Sequence, residues 1–136
     1  LPECRRQCGD RAVLRAFHIY ADNERVAKQV QALREGDFAA FLSLVTASGL
    51  SSWEYLQNVI PAGYTEHQEV AVTIAAAKHY LGGKGAVRVH GGGFAGTVQA
   101  FVPVELLAEF KANMEAILGE GRCHVLSIRP EGGAVL

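Results

Sequence analysis

The spacing of hydrophobic residues divides the chain into a helical N-terminal part and a mixed C-terminal part. Apolar side chains recur every three or four positions, with polar residues between them, and this period predicts amphipathic helices. The helices are expected over residues 11–34, from Asp37 to about Gly49, and over residues 65–81, with a short helical piece at residues 51–56.

Several residues at the ends of these segments are of types that begin helices. Asp37 stands at an N-cap position ahead of an apolar run. Ser51 with Glu54, and Thr65 with Gln68, have the spacing of a capping box. We therefore predict that these side chains cap the helices that follow them.

In the C-terminal part the hydrophobic period changes to two. Residues 86–90, 97–102 and 123–128 are predicted as strands, and Pro103 is predicted to begin a fourth helix. The order of elements predicts an α+β fold, in which a small antiparallel sheet carries helices on one face, as in a ferredoxin-like layer.

Composition limits the classes of function. With 136 residues, 49% of them hydrophobic, the chain is long enough for one domain with its own core. The net charge of -1 makes sequence-independent binding to nucleic acid unexpected, and no apolar run has the length of a membrane span. We expect residues 1–10 to be a linker or lead-in and residues 11–136 to be the domain. Because the chain begins without methionine, we expect it to be a trimmed product or a piece of a longer protein.

The cysteines and histidines do not predict a metal site. The spacing of Cys4, Cys8 and Cys123 fits no common zinc pattern. An odd number of cysteines without a secretory signal favours reduced thiols and a cytoplasmic location. We predict that His18, like His67 and His79, lies at a helix surface or boundary.

The most unusual segment lies between the first two predicted strands. It has four glycines among six residues, at positions 91–93 and 96. Glycine weakens a strand, so this density indicates a sharp bend or a close approach of the backbone to another group. Backbone amides without side chains around them can hold an anion such as a phosphate. We expect Phe94 to anchor the loop from beneath.

Gly91, Gly93 and Gly96 also have the spacing of the dinucleotide fingerprint G-x-G-x-x-G. That fingerprint requires a helix directly after the loop, because the helix N-terminus binds the pyrophosphate. The residues that follow here alternate as a strand. We therefore interpret the segment as a glycine-rich hairpin.

Residues 87–103 resemble the third conserved motif of the GHMP kinases in its galactokinase form. The glycine frame around Phe94 carries the resemblance, while Val89-His90, Ala95 and Thr97 depart from the family's residues. Weaker similarities occur upstream in the family's order, and the whole resemblance covers residues 11–129. These upstream similarities are Asp22-Asn23-Glu24-Arg25-Val26, Gly36-Asp37-Phe38 and residues 48–59, in which Gly49 replaces a histidine.

The resemblance implies that this chain is the C-terminal domain of an ATP- and Mg²⁺-dependent sugar kinase. The intact protein would convert galactose and ATP to galactose 1-phosphate and ADP. In this family the catalytic aspartate, the sugar signature and the phosphate-binding loop lie in an N-terminal domain. We therefore expect no catalytic residue and no Mg²⁺ ligand here, an N-terminal kinase domain as the partner, and a chain that by itself is inactive and forms a homodimer. The residues expected to line the cleft are His90, Gly91, Gly92, Gly93, Phe94, Ala95, Gly96 and Thr97.

Gly49-Leu50-Ser51-Ser52 is similar to part of the family's phosphate-binding loop. Trp53-Glu54 follows it where small residues belong, and its place in the chain is wrong. We do not interpret it as a phosphate site.

Two other functions remain open from the residues themselves. The chain is alternatively a freestanding α+β module that binds a small molecule or regulates another protein. It is otherwise an oligomerisation domain whose hairpin is only a packing device. His90 itself has two interpretations: it forms a hydrogen bond with a substrate or a loop carbonyl, or it is a histidine on the sheet face near the cleft.

Overall fold

A computed structural model describes residues 1–94, 96–128 and 130–131. Within these residues the helices and the small antiparallel sheet confirm the predicted α+β class. The elements in chain order are α1 (Pro2–Cys8), α2 (Asp10–Glu35), α3 (Phe38–Ser51), a π-helical turn (Ser52–Leu56), α4 (Glu69–Leu81), β1 (Ala86–Val89), β2 (Val98–Phe101), a 3₁₀ turn (Val104–Leu106) and α5 (Leu107–Leu118).

The turn between α2 and α3 forms as its residues predict. Gly36 ends α2 in the left-handed conformation, with φ 72°. The Asp37 carboxylate then accepts a hydrogen bond from the Ala40 amide at 2.9 Å, so its predicted capping role is confirmed.

The two predicted capping boxes do not form. Ser51 has helical backbone angles and continues α3 into the π-helical turn, and its side chain makes no cap. Gln68 directly precedes α4, and its side chain donates to the Tyr64 carbonyl at 3.3 Å. The Ser51 hydroxyl is hydrogen-bonded to His18 instead, and α4 begins only at Glu69, so Thr65 does not stand at its N-cap.

The sheet is the predicted hairpin. Strands β1 and β2 are antiparallel, with Ala86 opposite Phe101 and Val89 opposite Val98. One further backbone bond, from the His90 N–H to the Thr97 carbonyl at 2.9 Å, closes the base of the glycine loop. The loop is therefore a direct extension of the hairpin.

Helices pack on both faces of this sheet. Val87 and Val89 face α4 and α5 and belong to the main hydrophobic core. On the other face α3 lies against Arg88, and the rings of Phe41 and Phe101 meet edge to face at 5.3 Å. The prediction put helices on one face only; α3 covers the second face because Gly49 lets it approach closely. The core residues are Val59, Val70, Ile74, Ala77, Leu81, Val87, Val89, Phe110 and Met114.

The C-terminal end of the chain differs from the prediction. Residues 123–128 form no strand, and Val125, Leu126 and Ile128 are 62%, 87% and 88% exposed. A short apolar segment suggests a strand, but a strand also needs a neighbouring strand with which to form backbone hydrogen bonds. At the other end, the first ten residues include α1 and the first residue of α2, and all ten are exposed. None of the helices in the described ranges has both the length and the apolar character that crossing a bilayer requires.

Candidate functional site

The glycine loop projects from the end of the hairpin with an unusual backbone. Gly91, Gly93 and Gly96 have φ angles of 62°, 74° and 80°, which favour glycine. Phe94 shares this left-handed conformation with φ 51°. Ala95, a predicted member of the loop, lies outside the described residues.

Two neighbouring glycines have opposite environments. A Cβ built on Gly93 would lie 2.2 Å from the backbone oxygen of Asn58, so the fold itself requires glycine there. A Cβ built on Gly92 meets no described atom within 4 Å, and Gly92 does not have a positive φ. Neither packing nor backbone conformation within the described chain requires a glycine at position 92.

The residue beneath the loop is Asn58, which the sequence reasoning missed. Its backbone carbonyl accepts the Phe94 N–H at 3.1 Å, and its side-chain amide donates to the Gly92 carbonyl at 3.3 Å. The expectation that Phe94 anchors the loop from beneath is wrong, because Phe94 is 48% exposed and Asn58 only 3%. A polar residue directly before the apolar pair Val59-Ile60 was the available signal.

The predicted side chains at the two edges of the loop point to water. His90 and Thr97 are both exposed, and their backbones pair with each other at the base of the loop. The structure thus brings His90, Gly91, Gly92, Gly93, Phe94, Gly96 and Thr97 together on one projecting turn.

A buried polar cluster lies behind the hairpin, on the α3 side of the sheet. The Ser48 hydroxyl donates to the Asp22 carboxylate at 2.6 Å and accepts from the Arg88 guanidinium. His18 Nδ1 is hydrogen-bonded to Ser51 Oγ at 2.9 Å, and its Nε2 lies 3.7 Å from Asp22. Side chains from α2, α3 and β1 are therefore joined in one network.

This network shifts the acidity of two of its members. Burial lowers the pKa of His18, and the cations Arg25 and Arg88 lower it further, against the opposing effect of Asp22. Burial alone would raise the pKa of Asp22, but hydrogen bonds from Ser48 and Arg25 outweigh it and hold that pKa below its usual range. The cluster favours a neutral His18 and an ionised Asp22. The surface position predicted for His18 is wrong, since it is 6% exposed.

Arg88 connects the polar cluster to the loop. Its Nε donates to the carbonyl of Val89, the last residue before the loop, at 3.0 Å. Its Nη2 donates to Ser52 at 3.3 Å, at the start of the π-helical turn that leads to Asn58. Gly49, Ser51 and Ser52 are buried in this contact, which accounts for the short Gly-Leu-Ser-Ser run without a phosphate.

The thiols and histidines of the described residues form no group of three or more that could hold a metal ion. Cys4 and Cys8 are exposed on α1. Cys123 packs against the core, and burial raises the pKa of its thiol, with the neighbouring Glu115 adding to that rise.

Comparison with known proteins identifies a relative of this chain among enzymes. The chain is 31% identical over 100 residues to a galactokinase of Mannheimia succiniciproducens. The chain is related to galactokinases. The match covers 74% of this chain but only 24% of that enzyme, so the chain spans about a quarter of its relative. No protein-family model and no solved structure matches.

Proposed function

We propose that this chain is the C-terminal lobe of a galactokinase-like sugar kinase of the GHMP type. The intact protein would transfer the terminal phosphoryl group of ATP to the anomeric hydroxyl of galactose or a related sugar. The products would be a sugar 1-phosphate and ADP. The similarity to a galactokinase supports the sugar kinase class, and the glycine loop supports the role of this lobe.

The observation that carries the proposal is the open backbone at Gly92. Glycine costs conformational entropy on folding. At position 92 the described residues leave room for a Cβ, and the backbone does not have a positive φ that would favour glycine. A bare backbone is useful at Gly92 if another molecule lies against it. We propose that this molecule is the substrate or nucleotide, and that His90, Gly91, Gly92, Gly93, Phe94, Ala95, Gly96 and Thr97 line its cleft.

The proposed contribution of this lobe is positioning. Phosphoryl transfer depends mainly on holding the reacting groups in line and on stabilising charge on the phosphoryl oxygens. The loop offers backbone amides in a space that a Cβ would fill, which fits a phosphate or a sugar hydroxyl. ATP supplies the phosphoryl group, and Mg²⁺ neutralises its charge when bound. The carboxylates that would hold Mg²⁺ belong, in this proposal, to the N-terminal domain.

The proposed partner surface includes the exposed apolar end of the chain. Val125, Leu126 and Ile128 are largely exposed, and nothing in the described residues covers them. Exposed apolar patches of this kind mark interaction sites. We propose that an N-terminal domain of the same protein covers them, and that the chain by itself pairs with a second copy.

The function is tested by measuring ADP release from Mg-ATP with a panel of sugars. The full-length gene product and the 136-residue chain are assayed side by side, and the product is identified as a 1-phosphate by phosphorus NMR. We expect turnover by the full-length protein alone, with galactose or a close relative. Turnover by the short chain would contradict the proposal that the catalytic residues lie in the N-terminal domain. Tight binding of a sugar or nucleotide without turnover by either protein would favour a freestanding binding module.

A further inference from the structure

Asn58 forms hydrogen bonds with Gly92 and Phe94, the two residues that flank Gly93 in the loop. Its backbone carbonyl accepts the Phe94 N–H, and its side-chain Nδ2 donates to the Gly92 carbonyl. The nitrogen rather than the oxygen faces Gly92, because the other orientation would bring two acceptors together. Since Asn58 is 3% exposed, water does not compete for these bonds.

The loop needs this support because part of its backbone is strained. Phe94 has a left-handed φ, which bulky residues rarely adopt. Such strain persists only where the surroundings maintain it, and it is concentrated at functional sites. The hydrogen bond from Phe94 to Asn58, and the close contact of Gly93 with the same residue, maintain it here.

Asn58 is itself fixed by the residues before and after it. The π-helical turn ends at Gln57, which has φ 53° and ψ 41°. Ser52, at the start of that turn, accepts a hydrogen bond from Arg88 of β1. Val59 is 1% exposed in the main core. The strand that enters the loop and the segment beneath it are therefore connected to each other.

One side-chain atom of Asn58 has no hydrogen-bond partner in the described part of the chain. Its Oδ1 is buried and meets no hydrogen-bond donor among the described residues. A buried acceptor without a partner lowers stability, and leucine, which has a similar size, would avoid that loss. Packing alone therefore does not account for an asparagine here. The feature that asparagine adds is the hydrogen bond to the Gly92 carbonyl.

We infer that Asn58 is a positioning residue, which sets the backbone of Gly92, Gly93 and Phe94 in its binding geometry before a ligand arrives. The inference rests on the proposed function of the loop. Without the amide of Asn58, binding would have to order the loop, and affinity would fall with the fraction of molecules whose loop is competent. The loss would appear in KM more than in kcat.

The test compares Asn58→Leu with Asn113→Leu, a control at a partly buried asparagine of α5, in the full-length gene product. Hydrogen exchange is followed by mass spectrometry on peptides covering residues 90–97, and KM and kcat are measured with Mg-ATP and galactose. For Asn58→Leu we expect exchange in the loop about tenfold faster, and slowed again by the two substrates. We also expect KM about tenfold higher, kcat changed by less than about threefold, and no loss of thermal stability. The control should behave as the wild type.

Unchanged loop exchange and unchanged KM in Asn58→Leu would overturn the inference. If leucine lowers thermal stability, exchange in residues 90–97 is compared with exchange in peptides covering α4 and α5. A general loss of stability would speed exchange in all of them, whereas loss of the Asn58 amide would speed it in the loop alone. Faster loop exchange in a protein whose wild type phosphorylates no sugar would support the role of Asn58 and count against the kinase assignment alone. The two proposals therefore fail separately.

Discussion

Gly49 of α3 lies directly on Arg88 of β1. A Cβ built on Gly49 would come 2.8 Å from the Cβ of Arg88 and 3.3 Å from the Val87 carbonyl oxygen. This approach of helix to strand lets the Arg88 side chain reach Ser48 and Ser52 on either side of Gly49. The contact sets the distance between α3 and the strand that leads into the glycine loop.

Gly49→Ala should therefore destabilise the protein. Alanine improves helix propensity by about 1 kcal/mol, but overpacking against a strand typically costs ~1–3 kcal/mol, so we expect a net loss of up to about 2 kcal/mol. Urea unfolding followed by circular dichroism measures it. Ser43→Ala, at an exposed position of the same helix, is the control. An unfolding midpoint as high as that of the wild type would show that α3 can move away from β1 without cost.

The buried His18 should make stability depend on pH. Because burial holds its folded pKa below the ordinary value of 6.5, the unfolded chain takes up the proton first. This contribution to stability is present above 6.5 and is lost as the pH falls towards the folded pKa. Asp22 acts in the same direction, but only below its own ordinary value of 3.8. The two effects therefore occupy separate ranges of pH.

His18→Gln isolates the first of these ranges. Glutamine cannot titrate, so the free energy of unfolding of this variant should fall less than that of the wild type between about pH 7.5 and pH 5. His79→Gln, at an exposed helical histidine, should retain the dependence of the wild type. Parallel curves for His18→Gln and the wild type would mean that His18 titrates alike in the folded and unfolded chains.

The exposed C-terminal residues should cause the 136-residue chain to self-associate. Leu126 and Ile128 are 87% and 88% exposed, and burying a large aliphatic side chain is worth about 1.5–3 kcal/mol. Sedimentation equilibrium should detect a dimer of the chain. The double variant Leu126→Lys with Ile128→Lys should be monomeric at the same concentration, while the exposed control Val104→Lys should still dimerise. A monomeric wild type at high concentration would count against the proposed partner surface.

Hydrophobic periodicity predicted the main helices and the hairpin because these elements bury one face and leave the other polar. It could not predict partners that lie far apart in the chain. Residues 123–128 form a short, largely apolar segment of the kind found in strands, but such a segment does not show whether a neighbouring edge is available. His18 looked like a surface residue because Ser51, the side chain that binds it, is 33 positions away.

At the candidate site, too, contacts between residues far apart in the chain could not be predicted from local sequence patterns. The glycine loop could be found in the sequence, because four close glycines have few purely structural explanations. The residue that holds it could not, because Asn58 reaches Gly92 across 34 positions and by way of a π-helical turn that no local pattern predicts. The similarity to a galactokinase supports a relationship to these enzymes but does not identify that contact.

The proposed function depends on a ligand that lies against the backbone of Gly92, where any other residue would place a side chain. The most direct test is Gly92→Ala in the full-length gene product, measured for thermal stability and for kcat/KM with galactose or the best sugar of the panel. We expect stability within about 0.5 kcal/mol of the wild type and kcat/KM lowered by about tenfold or more, which corresponds to ~1.4 kcal/mol. Gly93→Ala, whose Cβ would meet Asn58 at 2.2 Å, should lose stability as well. A Gly92→Ala protein with unchanged stability and unchanged kcat/KM would contradict the claim that this loop lines the cleft.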